Sequence, residues 1–357
     1  LDPEGAQEEV IYTISNSIFS SMDTEKIIFM EDDSIIKIML SIRELSEKFN
    51  NSPDFKGSAV MEEDMKNHTT MKVGGNAALF IQPENTKSLL FAVSECARNE
   101  INFFTTGGGS NLVFSDNGFN GAIINTLKMN KIQQIDDTHI KCDAGVLTDD
   151  LVNFCAERGI AGTETFAGLP GTVGGAAFMN ARCYGKEMAD ILTSAEYIEA
   201  KKITDFSDKF IEEYVKIYHN NKDKSDWAYK HSPLADESKI IVSVTIEVTP
   251  TDLSKKASLC AECRKYVDDR MQKGHFKFPS SGSVFKNDRN FGKPSGVLID
   301  EAGLKGTRIG GAQVAPFHGN IIINAENATA SDVKKLVEYV QQKIKEKNGY
   351  LLEPEVI

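Results

Sequence analysis

Thr105–Asp116 reads TTGGGSNLVFSD, and the reading of the fold turns on this stretch. Gly107, Gly108 and Gly109 close a β-rich approach, INFFTTGGG, and Ser110 and Asn111 follow them. Consecutive glycines let backbone amides turn inward with φ > 0 and come close to a ligand. With the Ser110 hydroxyl and the Asn111 amide they form an anion-binding nest suited to a pyrophosphate. No Gly-Lys-Ser/Thr follows, so this is not a P-loop. No Gly-x-Gly-x-x-Gly opens a helix with an acid downstream, so it is not a Rossmann turn. Alone, a glycine-rich turn after a strand is only a turn. A second cluster changes that reading. Gly168–Gly185 is GLPGTVGGAAFMNARCYG, with Gly168, Gly171, Thr172, Gly174, Gly175 and Asn180 as candidate cofactor contacts. Thr69–Gly75, TTMKVGG, precedes both and adds Thr70 and Gly74. Two nests suit one long ligand with a diphosphate at its middle.

The chain has 357 residues, enough for a large core and two or three domains. A net charge of −12 argues against nucleic acid or an anionic membrane as partner, although a local basic cleft still suits a polyanionic ligand. The six cysteines are scattered, and the single C-x-x-C, Cys260–Cys263, has no partner pair for zinc. Reduced packing cysteines, no metal site and a cytoplasmic location are expected. No apolar run is long enough to span a bilayer, and the N-terminus has no basic region followed by an apolar core.

Residues 1–35 are acidic and weakly patterned, an N-terminal extension. From Ser34, SIIKIMLSIRELSEKF has the apolar spacing of an amphipathic helix. NHTTMKVGGNAALFIQ reads as strand, glycine turn and strand. TKSLLFAVSECARNE reads as a helix that Thr86 caps. HIKCDAGV, SAEYIEA, KIIVSVTIEV and NIIIN read as strands. LTDDLVNFCAERG, LSKKASLCAECRKYVDDRMQK and SDVKKLVEYVQQKIKEKNG read as helices, with a charged connector around Phe206–Asp226. Glu353 and Glu355, two apart, face one side if the last residues form a strand.

NHTTMKVGGNA, TTGGGSNLVFSD, AGLPGTVGGAAFMNARCYG, SSGSVFKN and LLEPEV occur in that order. In this, the chain from about Asn67 onward resembles the flavin-binding UDP-N-acetylenolpyruvoylglucosamine reductase (MurB) family. The first three motifs are shared in looser form with other enzymes of the same FAD-binding fold, whereas the last two are specific. The resemblance implies an α+β protein: a two-domain FAD-binding fold over residues 36–126 and 127–250, then an α+β substrate-binding domain over 251–357. It implies noncovalent FAD, since no His or Cys lies in Thr105–Asp116 to tether it. NADPH and a UDP-sugar are the implied ligands, and a monomer is expected.

By the same resemblance Ser283 is the proton donor and Glu355 the catalytic glutamate. Tyr229, Lys273, Lys286 and Asn287 meet the UDP portion. His318 matches a family histidine with either a structural or a catalytic role. Two positions depart from the family. Where it has Tyr-Arg-x-Ser, with an arginine holding the substrate carboxylate, Tyr229–Ser232 is Tyr-Lys-His-Ser. Lys230 keeps the charge but loses the bidentate fork. Where the family has glycine, this chain has Arg182. Arg182 either compensates at the catalytic site, or points to solvent or pairs with an acid such as Glu187.

The implied reaction is NADPH-dependent reduction of the enolpyruvyl ether of UDP-N-acetylglucosamine, in peptidoglycan precursor synthesis. Hydride reaches C3 and Ser283 protonates C2. A cation and Glu355 hold the negative charge that forms between the two steps. One alternative is an FAD oxidase of small hydroxy acids or alditols on the same fold. It explains the glycine loops but not SSGSVFKN with LEPEV. The other is a flavin-binding regulator that has lost catalysis.

Overall fold

A computed structural model describes residues 32–203, 211–221, 223–236 and 238–357. The expected N-terminal extension lies, up to residue 31, outside the described residues, as do 204–210 of the charged connector. Helix α1 (Asp32–Asn51) buries Ile42, Leu45 and Phe49 along one face. Phe49 meets Phe55 and Phe91 at 4.9 and 5.8 Å between ring centres. The first sheet holds β1 (Gly57–Asp64), β2 (Asn76–Pro83), β3 (Phe103–Thr106) and β4 (Phe119–Asn125) in the order β1-β2-β4-β3. β1 is antiparallel to β2, and the other two pairings are parallel. Helix α2 (Thr86–Arg98) crosses between β2 and β3.

Two sequence expectations change here, and one strand carries no sequence signal. Asn85, in extended conformation, caps α2 by accepting from the Ser88 amide, so Thr86 is the first helical residue and not the cap. Strand β1 is an edge strand with one buried residue, Ala59, and its acidic end, Glu62–Asp64, hides the alternation that signals a strand. Asn67–Val73 is not a strand. A short 3₁₀ turn, Met65–His68, leads into a loop, and Met71 and Val73 are fully buried in the core of the third unit. Their alternation comes from plugging that core, not from a sheet.

The second unit is an antiparallel sheet formed by β5 (Ile132–Gln134), β6 (His139–Asp143), β10 (Leu192–Glu199), β11 (Val215–His219) and β12 (Lys239–Glu247), ordered β11-β10-β12-β6-β5. Short strands β7 (Ile160–Ala161), β8 (Arg182–Cys183) and β9 (Lys186–Glu187) fall between β6 and β10, and β13 (Thr249–Pro250) follows β12 to pair with β7. Edge strand β11, inside the charged connector, was not legible because Lys216 and Ile217 are both exposed. Helices α3 (Thr148–Glu157) and α4 (Val173–Phe178) close this core. After α5 (Ile211–Tyr214), helix α6 (Lys256–Gln272) adds Leu259 and Cys263 to it. The other face of the sheet meets the first unit: Ile198, Ile240 and Val242 belong to the core of α1, β2 and α2, while neighbouring Ile241 points into the second core. One sheet therefore serves two cores, which fixes the two units against each other.

The third unit is an antiparallel sheet of β14 (Ser280–Ser283), β15 (Arg308–Ile309), β16 (Ala312–Val314) and β17 (Ile321–Asn324), ordered β14-β17-β16-β15, with α7 (Ser295–Glu301) and α8 (Ala330–Asn348). Val333, Leu336, Val340 and Ile344 of α8 fill its core. Thr329 caps α8 in a capping box with Asp332. Asp116, at the end of the first glycine loop, accepts from Ala330 N at 2.7 Å and Ser331 N at 2.8 Å. The first glycine loop thus also anchors α8. The architecture is α+β throughout. No helix among the described residues is long and apolar enough to cross a membrane.

Candidate active site

Strand β3 delivers the chain to Gly107, and the loop that follows meets the loop before α4. A Cβ on Gly107 would lie 2.4 Å from Thr172 Oγ1, and one on Gly108 would lie 2.9 Å from Gly171 Cα. A Cβ on Gly171 (φ +110°) would lie 2.5 Å from Ser110 Oγ. Gly174 is packed as tightly against Ala144, at 2.7 Å. The glycines are therefore needed first for the two loops to interlock, rather than only to admit a ligand. Gly109 (φ +61°) faces the His68 carbonyl, and the amide of Thr70 donates to Gly109 O at 3.1 Å. Thr172 caps α4 through Gly175 N.

This interlock leaves donors over. Among the described residues the backbone amides of Gly108, Gly109, Ser110, Asn111, Gly171 and Thr172 have no hydrogen-bond partner. Thr70 Oγ1 is buried, also without a partner. Unpaired amides on two facing loops, beside the positive end of a short helix, fit a diphosphate. The cleft they line is about 1580 Å³. That exceeds the roughly 300–1,000 Å³ of a single small-ligand pocket, so a dinucleotide fits with a second ligand beside it. The residues present fit FAD.

The same cleft is lined by Arg182, Lys230, Ser283 and Glu355. Ser283 ends β14 at an irregularity in its pairing with β17, where Gly282 takes φ +71°. Such a bulge re-aims the next side chain, and the Ser283 hydroxyl has no partner among the described residues. Glu355 follows the bridged residue of a backbone bridge, Phe285 to Pro354, and its amide donates to Val284 O at 2.7 Å. Only this isolated bridge forms, and the two glutamates part. Exposed Glu353 reaches half-buried Lys286 at 2.5 Å, whereas Glu355, 9% exposed, meets Lys230 at 2.5 Å. Lys230 is left-handed, φ +57°, in a tight turn closed by Ala228 and His231. Buried Asn180 holds that turn by donating to Ala228 O at 3.0 Å, and accepts from Ala189 N at 3.1 Å. Asn180 is thus a buckle between the second loop and the Lys230 turn and does not line the cleft.

Arg182 opens a two-residue hairpin whose turn, Tyr184 (φ +48°) and Gly185 (φ +85°), has the left-handed pair that such hairpins need. Its side chain is exposed and makes no ion pair or hydrogen bond among the described residues. Glu187 is its cross-strand neighbour but not its ionic partner. Gly74 packs on Phe114, outside the cleft. Tyr229, Lys273, Lys286 and Asn287 do not line it either. Lys273 pairs with Asp269 at 2.6 Å, and Asn287 accepts from Ser295 N at 2.8 Å while its amide reaches the Tyr229 hydroxyl at 3.5 Å. His318 accepts from Asn320 N at 3.1 Å, a structural bond.

Sequence reasoning missed Arg270 and His275. Arg270, on α6, lines the cleft, donates to Ala167 O at 3.0 Å and packs its chain on Gly168. His275 also lines the cleft. Burial, then the positive charge of Arg270, holds its pKa below the usual imidazole value. No local motif marks either residue, because their role depends on where α6 ends against the second loop.

Residues 77–202 match the family model described as FAD binding domain, and residues 273–357 match that of the UDP-N-acetylenolpyruvoylglucosamine reductase C-terminal domain. A UDP-N-acetylenolpyruvoylglucosamine reductase of Treponema denticola is 42% identical over 322 residues, covering 86% of this chain and 96% of that protein. One from Borreliella burgdorferi is 36% identical, covering 89% and 97%. The crystal structure of UDP-N-acetylenolpyruvylglucosamine reductase from Thermus caldophilus superimposes with a TM-score of 0.65 at 31% identity, covering 85% of this chain and 98% of that one. Motifs, fold and both domain matches agree: the chain belongs to the UDP-N-acetylenolpyruvoylglucosamine reductase family.

Proposed function

We propose that this protein is an FAD-dependent oxidoreductase that uses NADPH to reduce the enolpyruvyl ether of UDP-N-acetylglucosamine to UDP-N-acetylmuramate, in peptidoglycan precursor synthesis. One observation carries the reading. Ser283 and the Lys230–Glu355 pair open onto the same cleft as the interlocked glycine loops. FAD, which the two glycine loops and Thr70 would hold there, would supply the hydride-transfer chemistry between NADPH and the enolpyruvyl double bond.

The chain's own groups do the rest. The unpaired amides of the two loops bind diphosphate oxygens, and Thr70 supplies a further hydroxyl. The Ser283 hydroxyl delivers a proton to the carbon beside the substrate carboxylate. A serine is a weak acid, so it serves only a strongly basic carbon held in line with it. Lys230, held by Glu355, brings positive charge to the carboxylate as negative charge gathers there. Arg182 offers a second cation on the same cleft. Tyr229, Lys286 and Asn287 form one corner outside the cleft lining, and the uridine diphosphate meets it where it extends beyond the cleft, with Lys273, at the end of α6, as a further contact. In functional terms residues 36–126 and 127–250 carry FAD and 251–357 the sugar nucleotide, with α6 as a strut on the second unit. All six cysteines are free, which suits a reducing compartment. We place the enzyme in the cytoplasm as a monomer with noncovalent FAD.

The test separates the half-reactions. Ser283→Ala should leave flavin reduction by NADPH intact and slow reoxidation by the enolpyruvyl nucleotide by roughly 10²–10⁴-fold, as for a positioned general acid. Equal slowing of both steps would count against Ser283 as proton donor.

A further inference from the structure

The last residues of the chain are strapped to the first glycine loop. Asn111 Nδ2 donates to the Glu355 carbonyl at 3.0 Å. The amide of Ile357 donates to Asn111 O at 3.1 Å, and the amide of Val113 donates to Ile357 O at 2.8 Å. On its other side Glu355 is bonded through its own amide to Val284 O at 2.7 Å, one residue beyond Ser283. The second acceptor near Asn111 Nδ2 is Met179 Sδ, at 3.9 Å, at the end of α4. A carbonyl and a thioether sulfur both call for the donor end of the amide, which fixes its orientation. Asn111 therefore sits where three parts meet: the cofactor loop, the helix after the second loop, and the backbone of Glu355.

We propose that Asn111 is a positioning residue for Glu355, and that the strap formed by Asn111, Val113 and residues 355–357 couples occupancy of the cofactor loop to the placement of that carboxylate. The coupling follows from shared parts. The Asn111 backbone amide belongs to the run of unpaired donors that faces the cleft, while the Asn111 side chain and carbonyl hold residues 355–357. A ligand that fixes the backbone from Gly108 to Asn111 also fixes the strap. The strap in turn sets the Glu355 backbone, and with it the carboxylate held 2.5 Å from Lys230. Lys230 approaches from a different unit, so the ion pair forms only when the strap puts Glu355 in reach.

This rests on the proposed reading for its kinetic arm but not for its structural arm. In the holoenzyme, Asn111→Ala and the isosteric Asn111→Asp both remove the donor to Glu355 O. Hydrogen exchange, followed by mass spectrometry, is read on peptides covering residues 351–357. Both variants should exchange faster there than wild type. Each should slow reoxidation by the enolpyruvyl nucleotide roughly tenfold or more, and by clearly more than it slows NADPH reduction of the flavin, because a displacement of ~1 Å at a catalytic group costs up to about 10²-fold. Where a variant sheds FAD, its exchange is compared with FAD-free wild type. Unchanged exchange over 351–357 in both variants overturns the proposal, and so does equal slowing of both half-reactions. A wild-type enzyme that fails to use the enolpyruvyl nucleotide contradicts the proposed reaction instead, and leaves the exchange result standing.

Discussion

Lys230 occupies a left-handed backbone position and holds its ammonium 2.5 Å from Glu355, with side chains 16% and 9% exposed. A bulky residue keeps such a φ only where its surroundings demand it. Here Asn180 and the Ala228–His231 bridge impose it. The ammonium is a single point charge, and Glu355 already claims it. A substrate carboxylate in the same cleft is better met by a planar fork. Arg182 lines the cleft, and its expected alternative partner, Glu187, does not bind it. Arg182→Ala should therefore reduce turnover of the enolpyruvyl substrate by roughly 10²-fold, a loss comparable to removing an oxyanion donor. Adding Lys230→Arg should restore much of it. Steady-state kinetics of the single and double variants decide. Full activity of Arg182→Ala would leave Lys230 as the sole cation and sink the idea.

The two glycine loops behave as one element. A Cβ on Gly108 meets Gly171 Cα at 2.9 Å, so a side chain there displaces the opposite loop before it reaches any ligand. Overpacking of this kind costs about 1–3 kcal/mol, and charged to the bound state it weakens FAD by roughly tenfold or more. Gly108→Val protein should purify with well under one flavin per chain, read from its absorbance. Stoichiometric FAD in that variant would show that the cradle lies elsewhere. Elements with an unambiguous apolar period were legible from the sequence: α2, α8, β10, β12 and β17 all lie where their patterns put them. Elements whose pattern is set by distant partners were not. β1 and β11 are edge strands with little buried face, and Met71 and Val73 alternate because they fill another unit's core. Glu353 and Glu355 part because the tail is held by scattered bonds to Val284, Lys286, Asn111 and Val113 instead of a continuous ladder. Arg270 was invisible because its contact to Ala167 spans 103 residues of sequence.

Across the whole molecule the units are held by shared parts. The second sheet carries two cores, Met71 and Val73 reach from the first loop region into the third core, and Asp116 holds the start of α8. The cleft at their junction brings glycine loops from the first and second units to face Ser283 and Glu355 from the third. This arrangement suits a cofactor bound between two units and a substrate delivered by the third. The most direct test of that account is an anaerobic titration of the purified yellow protein. NADPH should bleach the flavin. One equivalent of the enolpyruvyl ether of UDP-N-acetylglucosamine should then restore the colour and yield UDP-N-acetylmuramate. A flavin that small hydroxy acids or alditols bleach, that dioxygen alone reoxidises and that the enolpyruvyl nucleotide leaves reduced would contradict it.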